Sequence, residues 1–343
     1  MATLSFKPKQ VVKRLLGALP DRARKVLISR YGLGNSPEQM TLESIGKTYG
    51  ITRERVRQIE NYAFAAVRKS DLYKKEKAAF EELQKLVHSL GCIISEEECL
   101  RQVSKDKSTQ NHIYFLLMLG DAFKKLKADD HFTHRWHVDD TTASKVESAL
   151  KKLHENLADD ELIPESEMIS SFLEMLKDIS EEHKNTEVAK RWLSLSKRIG
   201  RNPLGEWGRS SSPNVKAKGM RDFAYLAIRR HGSPMHFTEV AKAIQQLFDR
   251  KAHVATCHNE LIKDSRFVLV GRGLYALREW GYQGGVVRDV IKDILKKSGP
   301  LTKEEIVEKV LKERYVKENT IAVNLQNSGY FRKSKDGRYA LAS

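Results

Sequence analysis

Four stretches of this 343-residue chain carry the same punctuation at nearly constant spacing. Self-similarity of that kind restricts the fold more than any single motif, because each repeat must be one supersecondary unit. Each stretch has an amphipathic helical pattern, a short turn, an apolar residue leading a helix-start signal, another helix, and a run that closes on an aromatic. The start signals are ISEEE (Ile94 to Glu98), IPESE (Ile163 to Glu167), MHFTE (Met235 to Glu239) and LTKEE (Leu301 to Glu305). Their final glutamates stand 69, 72 and 66 residues apart, and the closing aromatics Trp136, Trp207, Tyr275 and Tyr339 stand 71, 68 and 64 apart.

Ser95 with Glu98, and Thr302 with Glu305, have capping-box spacing, in which hydroxyl and carboxylate satisfy backbone donors reciprocally. Pro164 suits a first helical turn, where its missing N–H would have had no partner. In the last two stretches SRFVLVGRGLYAL and GYFRKSKDGRYAL each read as strand, Gly-containing turn and strand. Three helices followed by a hairpin describe a winged helix-turn-helix. The first two stretches fit less closely, and GRNPLGEWGRSSSPN, where the second wing would lie, reads equally as a linker.

Charge follows this organisation. The chain has 61 Lys+Arg against 45 Asp+Glu, a net +16. Residues 1–70 carry +9, residues 71–200 carry −5 and residues 201–343 carry +12. Basic ends suit phosphate contacts, although charge alone serves equally as a solubilising coat. No apolar run is long enough for a membrane span, and the first residues lack a secretory h-region. Cys92, Cys99 and Cys257 are too few and scattered for a disulfide framework or a metal knuckle. A cytoplasmic protein is expected.

Residues 21–69 hold the most specific pattern. DRARKVLISRYGL reads as a helix stopped by Gly32 and Gly34; TLESIGKTYG as a helix capped by Thr41 and ended at Gly50; ITRERVRQIENYAFAAVRK as a helix starting near Thr52. The last two make a helix-turn-helix. Its second helix presents Arg53, Glu54, Arg57 and Gln58 on one face of the N-terminal two turns, with Val56, Ile59 and Ala63 on the packing face. Such N-terminal turns reach base edges in a major groove.

The segment LPDRARKVLISRYGL…TLESIGKTYGITRERVRQIE resembles region four of primary bacterial sigma factors over residues 18–69. The resemblance implies a module that reads the −35 promoter element and packs on the flap of the RNA polymerase β subunit. By position, the base-reading residues would be Arg53, Glu54, Arg57 and Gln58, with Arg22, Arg30, Thr41, Leu42 and Arg55 near phosphates. The chemistry agrees, since Arg can bond guanine bidentately, Glu can accept from cytosine N4 and Gln can pair with adenine. Nothing here resembles sigma region two, so the chain is not expected to open promoters alone. Tyr62 and Ala65 stand where the family carries basic residues that meet activators.

Residues 219–278 resemble the HARE-type helix-turn-helix domain of bacterial polymerase delta subunits, some restriction enzymes and chromatin factors. Together with the region-four segment, this is similar to a group of predicted bacterial transcription regulators. Lys251, His253, Thr256, His258 and Asn259 are the helix candidates of the third repeat, with Arg266 and Arg272 in its wing. Their equivalents in the fourth are Lys317, Asn319, Thr320 and Asn324, with Arg332, Lys333, Lys335 and Arg338 in the wing. Basic wings would sit on phosphates, or else hold a protein partner or an adjacent repeat.

Chemistry is sparse. His131, His134 and His137 among Asp129, Asp130, Asp139 and Asp140 look metal-like, but residues three apart on a strand face opposite ways. GRGLYA lacks the context of a dinucleotide loop, and no Walker lysine, GxSxG elbow or Cys/His nucleophile pair appears.

The expected fold is mainly α, with tandem helix-turn-helix and winged-helix units of three helices plus short β-hairpin wings. Its divisions are a region four-like module at 1–70, a winged-helix-like unit at 71–140, an acidic helical unit at 141–200, a linker at 201–218, and winged helices at 219–282 and 283–343. The expected function is a nucleoid-associated, non-enzymatic regulator that binds double-stranded DNA and RNA polymerase, with no cofactor, metal, membrane or small-molecule substrate. Two alternatives stay open: a polymerase-binding protein that competes with sigma factors, and a DNA-binding accessory of a restriction or defence system.

Overall fold

The computed structural model describes residues 3–282 and 285–342. It divides into two compact units, residues up to 200 together with 207–211, and residues 201–206 together with 212 onward. The fold is mainly α, with short antiparallel strand pairs.

The first unit opens with α1 (Pro8–Leu16), α2 (Asp21–Tyr31), α3 (Leu42–Tyr49) and α4 (Arg53–Lys69). A first repeat follows: α5 (Asp71–Lys75), α6 (Lys77–Ser89), β1 (Ile93–Ser95), α7 (Glu96–Val103), α8 (Lys107–Leu119), β2 (Lys124–Leu126) and β3 (Arg135–His137). The next comprises α9 (Asp140–Asn156), α10 (Glu165–Glu174), a 3-10 turn (Glu181–His183), α11 (Thr186–Leu193), β4 (Ile199–Arg201) and β5 (Trp207–Arg209). Thus the Gly/Pro/Ser-rich stretch, readable as wing or linker, forms a hairpin.

In the second unit come α12 (Met220–His231), β6 (Met235–His236), α13 (Phe237–Phe248), α14 (Val254–Lys263), β7 (Phe267–Gly271) and β8 (Leu274–Leu277). The last repeat is α15 (Val287–Ser298), α16 (Lys303–Glu313), α17 (Glu318–Leu325), β9 (Phe331–Lys333) and β10 (Tyr339–Leu341).

The two ladders in the sequence turn out to be one structural device. The apolar residue of each start signal pairs with the closing aromatic of the same repeat: Ile94 with Trp136, Ile163 with Trp207, Met235 with Tyr275 and Leu301 with Tyr339. Two repeats extend this pairing into three-stranded sheets of order β1-β3-β2 and β6-β8-β7, while the other two keep a single bridge beside their hairpins. A strand-to-helix junction clipped to the wing fixes where the helix-turn-helix starts, and the aromatic supplies the buried area that holds it.

Capping follows the same positions. Thr302 and Glu305 complete a capping box, with the Thr302 N–H donating to Glu305 (2.8 Å) and the Glu305 N–H to Thr302 (3.3 Å). Ser95 accepts from the Glu98 N–H at 3.2 Å, but the Glu98 carboxylate turns instead to Arg101 and Gln102, so only half of that box forms. Pro164 stands one residue ahead of α10.

Period-2 alternation on β1 joins neighbouring cores in the first unit. Ile94 lies with Leu15, Leu27, Ile113, Phe115 and Trp136, whereas Ile93 lies with Val146, Leu150, Phe172 and Trp192. No helix among the described residues is long and apolar enough to cross a membrane.

Candidate nucleic-acid interface

Two threonines and two glycines set the helix-turn-helix. Thr41 accepts from the Ser44 N–H and Thr52 from the Arg55 N–H, each at 3.1 Å, so both helices begin on a side-chain cap. Gly50 ends α3 in the left-handed region at φ 63°, where a side chain would be strained. Gly46 makes the close approach, for a Cβ there would stand 2.6 Å from the Ile51 carbonyl oxygen. Beneath the turn Val26, Ile45 and Val56 form a small core joined by Met40, Leu42, Tyr49, Ile51 and Ile59.

That packing turns Arg53, Glu54, Arg55, Arg57 and Gln58 to solvent. Arg57 donates from Nη2 and Nε to the two Glu54 carboxylate oxygens at 2.7 and 2.9 Å, and Arg55 donates to Gln58 at 3.0 Å. The guanidinium of Arg57 lowers the Glu54 carboxyl below its ordinary range, and Glu54 in turn raises Arg57. Arg22 and Thr41 are exposed. Leu42 packs its side chain on the small core, leaving its first-turn backbone N–H as what it can offer. Arg30 is half-buried; it donates to the Met40 carbonyl at 3.1 Å and lies 3.6 Å from Glu60, so its guanidinium is already engaged within the module.

The opposite side of the module is covered. Tyr31 and Phe64 pack on Phe115 of α8, with ring centroids 5.4 and 5.6 Å away. Asn111, buried in α8, donates to the Gly32 and Pro37 carbonyls (3.2 and 2.8 Å) and accepts from Gln39 (3.0 Å). Arg68, near the end of α4, caps α8 by donating to the carbonyls of Leu119 (2.9 Å) and Met118 (3.1 Å). Tyr62 and Ala65 are exposed.

In the second unit Lys251, His253, Thr256 and Asn259 are exposed around α14, but His258 stacks on Phe237 at 4.2 Å and is half-buried. Arg272 is exposed at the turn of the third wing. Arg266 is not: its guanidinium reaches Asp222 at 2.9 Å, Asp264 at 2.7 Å and Asn214 at 3.0 Å. Burial would raise the Asp222 and Asp264 carboxyls, but backbone N–H donors and Arg266 outweigh it and hold both below the ordinary range. The outer edge of β7 meets the following repeat, since the Tyr315 N–H donates to Val270 (2.9 Å) and Arg314 to Leu269 (2.8 Å). In the fourth repeat Lys317, Asn319 and Thr320 are exposed, Asn324 is half-buried and donates to the Thr320 carbonyl, and Arg332, Lys333, Lys335 and Arg338 line an exposed wing.

The histidines of DDHFTHRWHVDD are dispersed in use. The His134 ring accepts from the Ala128 N–H at 3.0 Å, while His137 is buried at the end of β3. Among the described residues, the group whose ligating atoms converge is His88, Cys92 and His183. The spacing of residues 91 positions apart hides this Cys/His pair from the sequence; HSLGC, with His88 and Cys92 four apart, was its only local signal. Burial, with Asp139 and Glu182 adding, pushes the Cys92 thiol up to about 11, so it is not a poised nucleophile.

Residues 15–69 match the family model of sigma-70 region 4, and residues 220–280 match that of the HARE-HTH domain, the helix-turn-helix domain named for ASXL and restriction endonuclease proteins. The principal sigma factor HrdD of Streptomyces griseus is 42% identical over 55 residues, 16% of this chain and 16% of that protein. The sigma factor RpoS of Coxiella burnetii is 47% identical over 57 residues, 17% of this chain and 16% of that protein. The chain thus spans about a sixth of the length of these sigma factors.

Proposed function

We propose that this chain is a DNA-binding transcription regulator that reads a −35-type promoter sequence through α4. The observation that carries it is the solvent-facing row Arg53, Glu54, Arg57 and Gln58 on the first two turns of a helix whose other side is buried against α8. These four read bases, while Arg22, Arg55, Thr41 and the α3 N-terminus at Leu42 hold phosphates. Arg272 and the fourth wing, Arg332, Lys333, Lys335 and Arg338, add backbone contacts that position without specifying. Arg30 and Arg266 act within the protein instead. The division into one reader and four winged-helix units goes with this reading, the second of those wings running to Arg209. So does a place in the cytoplasm on the nucleoid.

Footprinting of the full chain tests it. Protection centred on a −35-like element, lost when Arg57→Ala weakens binding on the order of ten- to a hundredfold, is the expected result. Protection without sequence preference, unchanged by Arg57→Ala, would overturn it.

The acidic stretch 71–200, at −5, favours a second reading in which the chain also grips RNA polymerase and competes with sigma factors at the β flap. Recovery of polymerase on the full chain at moderate salt supports it, and no recovery counts against it.

A further inference from the structure

One cluster of ligating side chains has no part in DNA reading. After α6 the chain turns through Gly91 at φ 112° and Cys92 at φ 64° before entering β1. Trp192 of α11 fixes this turn by donating its indole N–H to the Gly91 carbonyl at 2.9 Å, and a Cβ on Gly91 would meet that indole nitrogen at 2.8 Å. The turn thereby brings the Cys92 Sγ to 3.3 Å from the His183 Nε2. The His88 ring, one helical turn earlier, lies edge-on to the His183 ring with centroids 4.9 Å apart. Ligating atoms of His88, Cys92 and His183 all fall within 4.8 Å of one another. Glu182 places a carboxylate oxygen 3.7 Å from the His183 Nε2 and 4.0 Å from the His88 Nε2.

We propose that His88, Cys92 and His183, with Glu182 as fourth ligand, bind one zinc-type divalent cation that ties the turn after α6 to the 3-10 turn before α11. One thiolate, two imidazoles and one carboxylate make a donor set that suits tetrahedral zinc rather than a hard, all-oxygen cation. Metal–ligand bonds of about 2.0–2.3 Å put tetrahedral ligand atoms roughly 3.3–3.6 Å apart. The Cys92–His183 separation already meets that spacing and Glu182 falls a few tenths of an ångström outside it. The exposed His88 closes the rest by side-chain rotation. Binding releases the Cys92 thiol proton to water, and thiolate plus carboxylate then balance the two positive charges. His183 is 3% exposed and Cys92 2%, so water competes weakly for the metal there, and the ligands come from two neighbouring repeats of the first unit.

The full chain, purified without a histidine tag and titrated with cobalt(II) under a non-chelating reductant, tests the proposal. The expected result is one cobalt per chain with tetrahedral d–d absorption and a thiolate-to-cobalt charge-transfer band, displaced by zinc. Cys92→Ser should abolish the charge-transfer band. His88→Ala, at the solvent-exposed position, should keep the helical circular dichroism of the wild type and weaken binding by at least roughly tenfold, since even outer partners of metal ligands are worth that much. An octahedral spectrum alone, or a spectrum that Cys92→Ser leaves unchanged, means an adventitious ion only and overturns the site.

Discussion

Arg57 and Glu54 hold each other through two parallel hydrogen bonds, at 2.7 and 2.9 Å, on the exposed face of the helix proposed to read DNA. Both partners are more than half exposed, so the pair is weak in water and readily exchanged. Arg57 can therefore turn to a guanine edge while Glu54 turns to a cytosine N4, and the pair keeps the two side chains aligned until then. Glu54→Gln should leave the thermal stability of the chain unchanged, raise affinity for random DNA by removing a negative charge, and relax preference at one base position. Competition binding against sites substituted at each position checks this.

Arg55 sits on the same turn but should act differently. As a phosphate contact, Arg55→Ala should weaken binding uniformly across sequences and reduce the slope of log K against log salt by about 1. A change in sequence preference instead would assign it to base reading.

Gly46 sets the approach of the two helices. A side chain there must displace the Ile51 carbonyl, so Gly46→Val should cost about 1–3 kcal/mol and abolish sequence reading together. Thermal unfolding and footprinting of the same variant measure the two effects.

Asn111 ties the reader to α8. Asn111→Ala leaves the buried carbonyl groups of Gly32 and Pro37 without this donor and should cost about 1–3 kcal/mol. Hydrogen exchange should quicken in α2 and in the loop 32–40 before it quickens in α9–α11.

Much of this arrangement was legible in advance because it is local. The caps at Thr41 and Thr52, the stops at Gly32 and Gly50 and the exposed row from Arg53 to Gln58 all depend on residues a few positions apart. The repeat ladder was legible too, although its meaning was not: periodicity marked Ile94 and Trp136, and only the fold makes them partners across a sheet. What the sequence could not convey was pairing over long separations. Arg266 looked like a wing cation until Asp222, 44 residues earlier, was found beneath it, and Arg30 looked like a phosphate contact until Glu60 and the Met40 carbonyl closed around it. The His88–Cys92–His183 group is the same case, spread over two repeats.

The Arg266 network predicts an acid-sensitive second unit. Asp222 and Asp264 have carboxyls depressed in the folded state, so their contribution is fully present above the unfolded value near 4 and is lost as pH falls through the folded values. Arg266→Met should cost about 2–3 kcal/mol at neutral pH, tempered by the partial exposure of the guanidinium. The gap from wild type should narrow as pH falls below about 4, where the protonated carboxyls no longer need the cation. Denaturant titrations at several pH values give the comparison.

The central claim is that α4 reads sequence, and selection from a random double-stranded DNA pool by the full chain, wild type beside Arg57→Ala, tests it most directly. Enrichment of one −35-like motif by the wild type, with one position of that motif relaxed by Arg57→Ala, is the predicted result. Retention of unenriched DNA by both proteins would contradict it.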